Sequence, residues 1–174
     1  MLFNHLIQAQ FNAGDIITLS VNDYCLIETN HAPVSLTLSS PVVGASVTQV
    51  SNSDMFLKIS SITWWIFRRT VSAKISSGSV PAGTTLQLVA ANCTTTNSGG
   101  RLGTTTGTIN LSSTDQQILK SIGTCYTGTG YNDGYQLTYT WVPTTVAADY
   151  DLISATTSPV NITVVFTIST QGWN

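Results

Sequence analysis

Residues 123–142, GTCYTGTGYNDGYQLTYTWV, constrain the fold of this chain more than any other stretch. Tyr135, Leu137, Tyr139 and Trp141 alternate there with Gln136, Thr138, Thr140 and Val142, and successive side chains of a strand point to opposite faces. One face is therefore apolar and aromatic, and the other carries mostly hydroxyls and amides. Asp133-Gly134 just ahead of the run reads as a turn, because glycine takes a positive φ without a Cβ clash. A strand with one dry face and one wet face belongs in an antiparallel sheet packed on a second layer.

The same period recurs along the chain. Residues 16–21, Val34/Leu36/Leu38, residues 45–50, residues 55–62, Val71/Ala73/Ile75, Leu86/Leu88/Ala90, Ile109/Leu111 and the long run Val160/Ile162/Val164/Phe166/Ile168 all read as strands. Pro41, the SGSVPAG segment at 77–83 and the Thr/Gly/Ser-rich residues 94–106 separate them. This pattern predicts an all-β, antiparallel two-sheet β-sandwich of eight or nine strands. Residues 113–122 are ambiguous. Ser113 with Gln116 three residues on suits a capped helical turn, yet Ile118, Leu119 and Ile122 match neither the helix nor the strand period. With 174 residues, one domain is expected over 15–174. Residues 1–14 precede it as an arm, or as the remnant of a secretory signal ending near Ala9.

Charged residues make up only 8% of the chain, against roughly 25% in an ordinary domain; 28 Thr and 20 Ser carry the polarity instead. With six Lys and Arg and a formal charge of −2, nothing resembles the basic stripe that neutralises phosphates, so nucleic acid is not an expected partner. No apolar run of membrane-spanning length occurs, so no membrane span is expected. One Glu, seven Asp and two His leave little material for acid–base catalysis, and no nucleophile elbow, zinc-protease pair or phosphate loop is present. Neither an enzyme nor a cofactor is expected. Asp149 and Asp151 could lend two oxygens to calcium, but a polar loop is the commoner use of such spacing. The cysteines lack zinc-site spacing.

Three features remain. Cys93 and Cys125 each lie beside a turn-rich stretch and are expected to form a disulfide, leaving Cys25 over. Trp64-Trp65-Ile66-Phe67 runs into Arg68-Arg69, which suits either a strand buried on both faces or a loop tip presenting aromatics; Trp64, Trp65, Phe67 and Arg68 are the candidate ligand contacts. Leu2, Leu6, Phe11, Ile17, Leu19 and Val21 give the N-terminal stretch enough apolar side chains to fill a neighbour's groove as an added strand.

SSGSVPAGTTLQLVAA at 76–91, GTTTGTINLSSTDQQILKSIGTCYTGTGYNDGYQLTYTW at 103–141 and NITVVFTIS at 161–169 together resemble the uncharacterised secreted β-sandwich proteins of Bacteroidetes. That resemblance implies export and a compact β-domain over roughly residues 20–170, without an assigned activity. In combining a hydroxyl-rich sandwich, a candidate disulfide, an alternating last strand and an N-terminal extension, the chain is also similar to donor-strand fimbrial subunits, which implies an Ig-like or pilin-like sandwich. It departs from those subunits where Val160 or Asn161 replaces the glycine before the last strand, and where Trp173 replaces the penultimate tyrosine. The expectation is an extracellular or cell-surface structural protein whose copies join by strand donation. The rival expectation is a glycan-binding or adhesin module using the exposed aromatics.

Overall fold

The computed structural model describes residues 16–40, 42–64 and 66–171. Within them the chain forms two antiparallel sheets packed as a β-sandwich. Strands β1 (Tyr24–Thr29), β2 (Val50–Ile62), β4 (Thr84–Ala90), β5 (Gly99–Gly100), β7 (Ile109–Asn110), β9 (Cys125–Tyr126) and β10 (Tyr135–Pro143) make the larger sheet, and β3 (Arg68–Ser77), β6 (Thr104–Thr105), β8 (Gln116–Ile122) and β11 (Thr163–Gln171) the smaller. The larger sheet runs β5-β9-β2-β10-β4-β7 with β1 also on β2; the smaller runs β11-β3-β8-β6. A 3-10 helix at Ala147–Leu152 links β10 to the segment before β11.

The core lies between the sheets, and the alternation of each strand decides who enters it. Leu57 and Ile59 of β2, Leu86, Leu88 and Ala90 of β4, and Tyr135, Leu137 and Tyr139 of β10 face Val71, Ala73 and Ile75 of β3 and Ile118, Leu119 and Ile122 of β8. Burying a side chain of this size contributes about 1.5–3 kcal/mol. The long strand β2 organises the larger sheet. It pairs with β10 from Val50 to Leu57, then with β9 at Ser60 and Ser61, while β1 takes its other edge from Leu57 to Ile62. Where β9 leaves β2, threonine hydroxyls stand in for ladder bonds. Thr127 Oγ1 accepts from Ile59 N (2.9 Å) and donates to Ile59 O (3.3 Å), and Thr124 Oγ1 does the same for Thr63 N (3.1 Å) and O (3.2 Å).

Several expected strands are absent. Among the described residues, 16–21 and 33–38 join no ladder, and of residues 45–49 only Thr48 bridges, to Ser39. The first strand is Tyr24–Thr29, where the sequence shows only weak alternation. Val34 and Leu36 still pack on the core, so their alternation marks burial rather than sheet membership. Residues 116–122 form a strand and not a helix. Their lost period has a local cause: the ladder of β8 with β3 shifts register twice around Val71, and Ser121 takes φ 60°, so adjacent Ile118 and Leu119 are both buried.

The expected Cys93–Cys125 disulfide is not formed; all three cysteines are free thiols. Cys125 is turned into the core by the pairing of β9 with β2, whereas the Cys93 thiol lies 3.7 Å from the Thr95 hydroxyl beyond the end of β4. Cys25 and Cys125 stand opposite Ser61 from its two sides. Two strand spacings, about 9.6 Å, then separate them, too far to bridge.

Two charged side chains, Arg69 and Asp133, are buried among the described residues. Arg69 of β3 is buried, and its guanidinium donates to Ser61 Oγ (3.2 Å), Thr170 Oγ1 (3.3 Å), Ile62 O (3.4 Å) and the carboxylate of Asp23. It thereby ties β2, β3, β11 and the entry to β1 together. Asp23→Asn removes the counter-charge but leaves the guanidinium buried, so a loss of about 1–3 kcal/mol is expected, discounted for the part-exposure of Asp23. Urea unfolding that gave the same midpoint for both proteins would show the pair to be ornamental.

Candidate functional site

The N-terminal stretch expected to mediate assembly stands free of its own subunit as far as it is described. Ile16, Ile17, Leu19 and Val21 are between 78% and 98% exposed, in a segment that joins no ladder among the described residues. Leu2, Leu6 and Phe11 lie outside the described residues. The root of the arm is fixed, because Asp23 is held by Arg69 and Tyr24 begins β1. Within six residues this segment places four large apolar side chains in water.

Beside that root lies an open sheet edge. β11 pairs only with β3 among the described residues, leaving its other side without a ladder over nine residues. Val164, Phe166 and Ile168 face inward yet are only half-buried, while Thr163, Val165, Thr167 and Ser169 face out. No residue of β11 is charged. Edges are normally guarded by lysine, proline or an inward charge. A register shift between Thr163 and Val164 is the one irregularity of the β11–β3 ladder. Arg69 reaches both Asp23 and Thr170, which brings the arm's root to the far end of β11.

The aromatic segment turns out to be a loop tip. Trp64 O accepts from Phe67 N (2.9 Å) in a turn between β2 and β3. The Trp64 indole is 68% exposed, Ile66 is exposed and Phe67 half-buried; Trp65 lies outside the described residues. Trp64 and Arg68 line a pocket of about 320 Å³ together with Thr63, Thr124, Gly123 and Arg101. Arg68 also donates to Phe67 O (2.6 Å). The Arg101 stem packs against Gly123, where an added Cβ would sit 3.1 Å from it. Arg101 carried no signal in the sequence, since it falls in a Thr/Gly-rich loop and reaches this corner only because its N–H donates to Thr124 O and its carbonyl accepts from Gly123 N (2.9 Å each). Thr63 Oγ1 is buried here and has no hydrogen-bond partner among the described residues.

Asp149 and Asp151 sit on the exposed 3-10 helix, and no group of three or more metal-ligating side chains converges among the described residues. Tyr135, Tyr139 and Trp141 face the core rather than a ligand, with the Tyr135 hydroxyl donating to Leu102 O. Burial drives both tyrosine hydroxyls well above their usual pKa. No helix among the described residues is long and apolar enough to cross a membrane.

Burial, with Cys93 nearby as the second cause, pushes the Cys125 thiol from 9.0 to about 11. The neutral thiol is thus the form the fold favours. Its contribution to stability is complete below pH 9 and lost as pH rises through about 11. At pH 8 about one Cys125 in a thousand carries the reactive thiolate. A thiol-reactive dye at pH 8 should label Cys125 only after denaturation, and denatured, unreduced protein should then titrate three thiols per chain. Rapid labelling of Cys125 in the folded state, or a titre of one, would contradict this. No protein-family model, curated protein or solved structure matches the chain.

Proposed function

We propose that the protein is an extracellular structural subunit whose copies associate by strand donation, the N-terminal arm of one adding to the open β11 edge of the next. The observation that carries this reading is the exposed apolar segment 16–21, rooted at Asp23 beside the end of an uncharged nine-residue strand that pairs only with β3 among the described residues. Ile17, Leu19 and Val21 share one face of an extended chain. Laid along β11 they would continue the inward row of Val164, Phe166 and Ile168, completing burial that the subunit alone leaves half done. Burying three such side chains contributes roughly 5–9 kcal/mol before the cost of ordering the arm. The resemblance to donor-strand subunits supports the same reading.

The test follows from what is exposed. Ile17→Asp with Leu19→Asp alters no described packing, so the variant should unfold at the same temperature as the parent while light scattering and electron microscopy show it monomeric. A chain beginning at Asn22 should behave likewise, since it keeps Asp23. Persistence of the same oligomers in both would remove the arm from the joint. A parent that is itself strictly monomeric at high concentration would end the assembly reading.

A second reading, a glycan-contacting module, is favoured by the exposed Trp64 indole beside Arg68 and Arg101. An aromatic face with two guanidinium groups suits an acidic sugar ring. Under that reading Trp64→Ala abolishes retention on an array of carboxylated and sulfated glycans without lowering the unfolding temperature. Equal retention of parent and variant would exclude it.

A further inference from the structure

The outer face of the larger sheet holds a trough that neither strand donation nor the Trp64 tip uses. We propose that it is a binding site for a neutral pyranose, the terminal or internal residue of an uncharged glycan. Its volume is about 430 Å³, within the roughly 300–1,000 Å³ of small-ligand sites. It lies seven residues down β2 from Thr63, about 23 Å away at strand rise.

The floor comes from two adjacent strands. Phe56 of β2 and Gln136 of β10 are direct cross-strand partners on the face opposite the core. Next to them the β10–β2 ladder slips: the step from Leu137 to Tyr139 is matched by the step from Met55 to Asn52. One extra residue of β2 is accommodated there, and this bulge brings Ser53 and Asp54 to the trough. Bulges of this kind re-aim side chains beside functional sites.

The two walls are loops, each pinned by a polar side chain that is only 8% exposed. On one side Asn30 Nδ2 donates to Asp54 O (2.9 Å), and Asn30 Oδ1 accepts from Phe56 N (3.0 Å) and Ala32 N (3.3 Å). These bonds fasten Ala32 and Pro33 against the floor and hold the intervening His31 at φ 54°, a backbone state that non-glycine residues rarely adopt. Opposite, the buried Asp133 carboxylate accepts from Gly130 N (2.7 Å) and Asn97 Nδ2 (3.3 Å). Gly128, at φ 95°, passes so close that any Cβ would strike that carboxylate. This loop presents Tyr131, whose ring is exposed, and Asn132.

Such a trough is stiff before any ligand arrives, and its chemistry is specific. The Tyr131 and Phe56 rings offer apolar faces to the C–H surface of a sugar. Asp54 Oδ2 is occupied by Asn52 Nδ2 (2.8 Å), while Oδ1 has no partner among the described residues and can accept from a sugar hydroxyl. Gln136 spends its Nε2 on Ser53 O (3.0 Å) and keeps its carbonyl oxygen, and the Asn132 amide and Tyr131 hydroxyl have no partner among the described residues. No cation lines the trough and one carboxylate does, which disfavours anions; the mixed acceptors and donors suit neighbouring hydroxyls.

The full-length chain, labelled with nitrogen-15, would be titrated with methyl glycosides of glucose, galactose and mannose and with neutral oligosaccharides built from them. Saturable shifts confined to the amides of Phe56, Tyr131, Asn132 and Gln136 are expected, in the millimolar range for a single ring. Tyr131→Ala and the isosteric Asp54→Asn should each weaken binding about tenfold or more, with unchanged unfolding temperature, and Trp64→Ala should leave it intact. No shift with any sugar of the panel, binding that survives both trough substitutions, or a response only to charged ligands would each overturn the proposal. Strand donation stands or falls separately, because both trough variants retain the arm.

Discussion

The close seating of β10 on β2 around Leu57 and Tyr135 is the contact on which the other parts depend. Gly134, at φ 109°, lets the chain enter β10 so near to Leu57 that a Cβ would collide with its carbonyl. From there every second residue of both strands faces the smaller sheet, and Leu57, Ile59, Tyr135 and Leu137 are almost wholly removed from water. The Tyr135 hydroxyl then donates to Leu102 O, anchoring the 94–106 region to the core. A register error of one residue here would turn the aromatic face to solvent and the threonines inward.

At the Thr63 end of β2 the sandwich is closed by polar rather than apolar contacts. Arg69 occupies the space that a hydrophobic side chain would fill elsewhere, and its bonds to Ser61, Thr170 and Asp23 fix where β1 begins. The same pairing holds the chain at Asp23, where β1 begins one residue later. N-terminal to Asp23 no described side chain is held, and the first residues met, Val21 and Leu19, are apolar and exposed. The interior ion pair and the exposed apolar residues thus meet within three residues, next to the end of a strand that pairs only with β3 among the described residues.

The irregular points of the sheets are also the informative ones. A bulge carries Ser53 and Asp54, a positive φ carries His31, and a second departure at Ser121 lets β8 bury adjacent residues. Asn30 and Asp133 are buried polar groups with their bonds satisfied, and such groups hold a shape rather than add much net stability. Both hold loops bordering the same trough, which is the reason that region reads as a preorganised surface rather than as incidental relief.

Alternation alone determined the class of the protein and the inward residues of β3, β4, β10 and β11, because burial on one face of a strand leaves a period of two whatever the partner is. It also located the turn before Tyr135. It could not tell paired strands from unpaired coil: residues 16–21 and Val34 to Leu38 alternate much as β11 does, yet they join no ladder among the described residues. Nor could it read β8, where bulges erase the period, or the cysteine pairing, which depends on where loops finally lie. Arg101 reaching Trp64, and Asn30 and Asp133 converging on one trough, join residues far apart in sequence. Only the stacking of strands from distant segments decides such neighbours, since a one-dimensional pattern states which side of a strand is dry and leaves open which strand lies beside it.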